Sequence, residues 1–162
     1  MYDVLKDFAS PVITLITALV AGFITFTFNR NQAQLARSQR DIALDKLKFD
    51  LFERRFSVYE AARNFLVSIL TTGKVEGDAL LKFVSGMVEA RWLLDESVAR
   101  YLKEDLYAKA LDLETLSAEL EGLPVGEERN ARVHERGEIK RWLNDQFPVL
   151  DEKFSPFLKL EH

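Results

Sequence analysis

Residues 46–70 read KLKFDLFERRFSVYEAARNFLVSIL, and the reading of this stretch decides the fold. Leu51, Phe52, Val58, Tyr59, Phe65, Leu66, Ile69 and Leu70 fall at helical spacing and make a broad apolar face, the signature of a helix entering a core. No Gly or Pro occurs between Phe23 and Thr71, and residues 29–48 are rich in Gln, Ala, Arg, Leu and Lys, all good helix formers. One continuous helix is therefore predicted through this region. Phe28, Leu35, Ile42, Phe49 and Phe56 follow a seven-residue stride, while Asn31, Ser38 and Asp45, three positions later, are polar. The seam is too thin for an autonomous coiled coil but suffices to guide packing in a ring or dimer.

Toward the C-terminus the punctuation is clear. Residues 71–77, with Gly73 and Gly77, break the helix, and Asp78 can cap the next one. A second helix is predicted over 79–94, with Leu80, Leu81, Val84, Val88 and Trp92 inward. Asp95-Glu96-Ser97 starts a third over 96–120, with Val98, Tyr101, Leu102, Leu106, Leu113 and Leu116 inward. Glu121-Gly122-Leu123-Pro124-Val125-Gly126 stops it. A fourth helix over 127–147 ends at Pro148, and Val149–Lys159 closes the core with Phe154, Phe157 and Leu158. The expected class is all-α: a long helix leading into an antiparallel cytoplasmic helical bundle over 49–159.

Toward the N-terminus, no charged residue lies between Asp7 and Arg30. The run 11–28 would rise about 27 Å as a helix, which predicts a single transmembrane segment within 1–28 and a juxtamembrane connecting helix over 29–48. A cleaved signal peptide is the competing reading, but a basic leading region and a small-residue cleavage site are both missing. Arg30, Arg37, Arg40, Lys46 and Lys48 predict a bacterial inner-membrane protein with its N-terminus outside and its C-terminal domain in the cytoplasm. The lipid bilayer is then a partner. Thr14, Thr17, Ala18, Ala21, Gly22 and Thr25 share one side of the run, a small-residue face suited to close helix approach, hence to self-association and a pore lining. A lone anchor that happens to contain Thr and Ala is the plainer alternative. Leu160-Glu161-His162 reads as the remnant of a tag.

Composition narrows the chemistry. The 162 residues include no Cys and two His, which excludes disulfide scaffolds, thiol catalysis and cysteine zinc sites. With 22 basic and 26 acidic side chains there is no global positive field for nucleic acid, and residues 95–128 hold ten acidic against three basic. No phosphate-cradling loop, nucleophile elbow or metal-spaced cluster is present, so neither a metal nor a small-molecule cofactor is expected.

The segment 46–61, KLKFDLFERRFSVYEA, together with Phe154-Ser155-Pro156-Phe157-Leu158, resembles a widespread class of bacterial proteins of unknown function. The layout is also similar to the small membrane accessory protein of RNA-targeting type VI-B CRISPR systems, which joins an N-terminal span to a HEPN-like bundle. That second resemblance implies a homo-oligomeric, pore-forming effector in anti-phage defence, with a CRISPR effector or an RNA as its trigger. Arg129-Asn130-Ala131-Arg132-Val133-His134 matches the R-N-x-x-x-H form of the HEPN ribonuclease signature. In such nucleases His and Arg from two protomers surround a scissile phosphate, and cleavage by the ribose 2′-hydroxyl needs no metal. Arg129, Asn130 and His134 are thus the candidate catalytic residues of a tethered ribonuclease. Asn130 and His134 share a helical face, whereas Arg129 points about 140° from His134, so one site would need a second protomer or fraying. A degenerate motif, or coincidence in a helix already carrying Arg132, Arg136, Lys140 and Arg141, competes with activity. A membrane anchor whose bundle docks a cytoplasmic partner is the third reading.

Overall fold

A computed structural model describes residues 2–75 and 77–159; within its first helix the side chains of residues 2–16, Thr27 and Ala33 lie outside the described residues, as do the residues 160–162 read as a tag remnant. All elements are helices: α1 (Tyr2–Thr72), α2 (Gly77–Leu93), α3 (Glu96–Arg100), a π-helical segment (Tyr101–Tyr107), α4 (Ala108–Gly122), α5 (Glu127–Asn144) and α6 (Gln146–Phe154). No strand occurs among the described residues. The chain divides into two units, Met1–Leu47 and Lys48–His162.

The first unit holds only the N-terminal part of helix α1. Among the described residues, no helix is long and apolar enough to cross a membrane. Past Phe28 the chain turns polar at Asn29, Arg30, Asn31 and Gln32. The absence of such a helix among the described residues overturns the expected transmembrane segment, and with it the single-pass inner-membrane placement. The beginning of the run, 11–16, lies outside the described side chains.

The second unit is a helical bundle built on the last turns of α1. Val58, Ala62, Phe65, Leu66 and Ile69 are buried along one face, the spacing expected of a core-facing helical stripe. Phe65 stacks on Phe83 of α2, ring centroids 4.2 Å apart and planes 3° from parallel. Gly73, at φ +74°, ends α1, and its N–H donates to the Ile69 carbonyl at 2.8 Å. A left-handed residue is the usual device for terminating a helix, and glycine takes it without strain.

Helix α2 corrects one expectation. Its core face is Phe83, Gly86 and Ala90, whereas Leu81, Val88 and Trp92 point outward. The physical reason is close approach. A Cβ at Gly86 would lie 3.6 Å from Ala61 Cβ and from Val58 Cα, ordinary van der Waals contact, so this face of α2 packs directly on α1. Turning the smallest residues inward lets Phe83 reach Phe65, and the larger side chains face away.

Asp95 caps α3, its carboxylate accepting from the Val98 N–H at 2.9 Å. The predicted third helix is continuous from Glu96 to Gly122, and Val98, Tyr101, Leu102, Leu106, Leu113 and Leu116 are buried as expected. Its middle, 101–107, is a π-helix, a wider i→i+5 winding that sequence periodicity does not announce. Pro148 does not end the fourth helix. Helix α5 stops at Asn144, and Pro148 sits in the first turn of α6, where no intrahelical N–H is required. Gln146 of α6 is buried and satisfied: Tyr101 donates to its Oε1 and its Nε2 donates to the Trp142 carbonyl, both at 3.1 Å.

Candidate functional site

The motif residues open α5, directly after the loop that leaves α4. Arg129 turns back toward that loop. Its Nη1 donates to the carbonyls of Leu120 at 3.1 Å and Leu123 at 2.6 Å. These belong to the last turn of α4 and its exit, where backbone oxygens have no helical partner, and a cation there also meets the negative end of the helix dipole. Asn130 is exposed, and its backbone N–H donates to Gly126. His134 is exposed too, with Nε2 3.4 Å from Glu138 Oε1 one turn on. Within one chain, then, Arg129 is engaged in holding the α4–α5 loop and His134 stands apart from it with a carboxylate neighbour.

Beside the motif, α4 and α5 enclose an open groove of about 660 Å³ floored by Leu116, Ile139 and Trp142. Its walls carry Asp112, Glu119, Glu135 and Glu138 against Lys109 and Arg132. Arg132 lies between Glu119 (3.6 Å) and Glu135 (3.2 Å), and Lys109 pairs with Asp112 at 3.1 Å. The groove is a partly paired, net acidic surface, the wrong sign for a phosphodiester backbone. Among the described residues no group of three or more His, Asp and Glu side chains is arranged to hold a metal ion.

The other candidate face lies in the first unit. Thr17, Ala18, Ala21, Gly22 and Thr25 are exposed along α1, and the Thr14 side chain lies outside the described residues. Thr25 Oγ1 donates to the Ala21 carbonyl of its own helix at 2.8 Å, so its proton is used within the helix rather than across a contact. A Cβ at Gly22 would meet nothing within 4 Å. On the seven-residue stride, Phe28, Leu35 and Ile42 are 58%, 59% and 65% exposed.

Two features escape sequence reading. The 46–61 segment uses its polar side chains to fasten neighbouring helices. Arg55 Nε donates to the Leu93 carbonyl at the end of α2 at 2.9 Å, with its guanidinium over the Phe157 ring, and Tyr59 donates to Asp151 of α6 at 2.6 Å. The second is the outward Leu81–Val88–Trp92 row on α2. Its only signal in the sequence is the pair Gly86 and Ala90, small residues that mark the close-packed face opposite. Compared with known proteins, the chain matches no family model, no curated protein and no solved structure.

Proposed function

We propose that this chain acts as a self-assembling helical protein, with the α1 seam as the interface between copies. The observation that carries this reading is the row Phe28, Leu35 and Ile42, each more than half exposed and spaced seven residues apart. Fully burying such a side chain is worth about 1.5–3 kcal/mol, so covering the exposed part gives about 1–2 kcal/mol each. Three residues from each of two copies contribute about 6–12 kcal/mol, against an association cost of about 4–15 kcal/mol. Two-fold pairing through the seam is therefore marginal, and assembly should depend on concentration and gain from additional neighbours. The small residues Ala18, Ala21 and Gly22 favour this by allowing helices to approach closely.

The test is the mass of the full chain by light scattering or native mass spectrometry, with and without the double substitution Leu35→Lys, Ile42→Lys. The parent is expected to form discrete oligomers, and the double variant to associate at least about tenfold more weakly than the parent, with unchanged helical circular dichroism. A parent that stays monomeric near millimolar concentration overturns the reading.

A HEPN-like identity for the bundle, and a defence role with it, belongs to the same proposal as its finer version. What supports a ribonuclease is the exposure of His134 and Asn130 on α5, where a second copy can reach them. What weighs against it is the engagement of Arg129 with Leu120 and Leu123. Cleavage of single-stranded RNA without added metal, abolished by His134→Ala, is its signature.

A further inference from the structure

The second unit carries an apolar groove and, elsewhere on the same chain, a complement to it. The groove lies between α2 and the α3–π segment, has a volume of about 810 Å³, and is floored by Met87, Val88, Trp92 and Ala99. Trp92 is 81% exposed, which is unusual for the largest apolar side chain, and Arg91 lies 5.8 Å over its ring. Exposed Trp with Arg is the composition of an interface anchor rather than of ordinary solvated surface. The rim carries Arg91, Arg100 and Lys103 against Glu96 and Glu104; Glu96 and Arg100 pair with each other at 2.9 Å, leaving Arg91 and Lys103 against Glu104, a net positive rim.

The complement is the α4–α5 loop. Pro124 is exposed and Val125 is 91% exposed, an apolar tip bracketed by the exposed carboxylates of Glu121, Glu127 and Glu128. The two Arg129 bonds to Leu120 and Leu123 hold this loop in shape, so little ordering remains to be done on docking. We propose that the α4–α5 loop of one copy docks into the α2–α3 groove of a second copy, Val125 and Pro124 against Trp92 and the loop carboxylates toward Arg91 and Lys103. The two surfaces differ, so the contact is head to tail and propagates into a ring or an open chain. It adds a second interface to the self-assembly inferred for α1 and does not depend on it.

The test uses the full chain carrying Leu35→Lys and Ile42→Lys, so that the α1 seam is disabled and failure of one interface is not failure of the other. In this background, sedimentation velocity from about 10 µM to about 1 mM should detect association, since a contact this small lies at the weak end of interfaces. Trp92→Glu and Val125→Glu, both at exposed positions, should each weaken association at least about tenfold while leaving the circular dichroism unchanged. Mixed in equal amounts, the two variants should form a 1:1 dimer, because each retains the surface the other lacks. A background chain that is monomeric throughout, or a mixture that stays monomeric, overturns the proposal.

Discussion

Replacing Arg129 by Ala removes the side chain that closes the end of α4. The guanidinium makes two bonds, to Leu120 O at 3.1 Å and Leu123 O at 2.6 Å, with a charged donor and neutral acceptors. Bonds to charged groups contribute about 1.5–3 kcal/mol each when well shielded. Arg129 is only half-buried, and water can reach both carbonyls once it is gone, so the pair together is worth about 1–2 kcal/mol. In a bundle of this size that corresponds to a fall in melting temperature of about 4–8 °C. The assay is thermal and urea unfolding followed at 222 nm, run beside Asn130→Ala and His134→Ala. Those two side chains are exposed, and each substitution should stay within about 0.5 kcal/mol of the parent. Arg129→Lys should recover part of the loss, because both bonds leave the single Nη1 and an ammonium also carries several donors on one nitrogen, at the end of a differently shaped stem. An Arg129→Ala chain that unfolds like the parent would refute the clamp. A stable His134→Ala chain that has lost an RNA-cleaving activity of the parent would return the motif to catalysis.

The orientation of α2 predicts a sharp contrast: Phe83→Ala, at a buried ring stacked on Phe65, should lose about 3–5 kcal/mol in urea unfolding, whereas Trp92→Ala should change the stability of the monomer by less than about 0.5 kcal/mol. Alkaline pH should destabilise the bundle. Burial, with the Asp105 charge next, pushes the Tyr101 hydroxyl well above its ordinary 10.0, and the hydrogen bond to Asp151 raises Tyr59 in the same direction. Groups with a raised folded pKa leave stability intact below the unfolded value, near 10, and withdraw it as pH rises further, because the unfolded chain gives up its protons first. Tyr101→Phe should flatten that alkaline limb in urea midpoints measured above pH 10.

The core face from Val58 to Ile69, the Gly73 stop, the Asp95 helix start and the inward positions from Val98 to Leu116 were legible, because each follows from local spacing or local backbone chemistry, whereas Leu51, expected on the same face, is exposed. The motif at 129–134 was legible as a string but not as a site. Whether an arginine touches a phosphate or a carbonyl depends on where the preceding loop passes, and spacing along α5 does not contain that. The apolar run at 11–28 invited a membrane reading on hydropathy alone, which the described part of α1 does not sustain.

Sequence by itself therefore determined that the protein is all helix, where most of the helices start and stop, and that an apolar row every seven residues marks α1, since helix periodicity and capping are properties of neighbours in the chain. Only the tertiary structure decided which way α2 faces. Leu81, Val88 and Trp92 are as apolar as Phe83, and burial went to the face of Phe83, Gly86 and Ala90, which packs on α1. The same holds for Arg55, Tyr59 and Arg129, whose partners lie 38, 92 and up to 9 residues away in sequence and are brought within hydrogen-bond reach by the packing of the bundle alone.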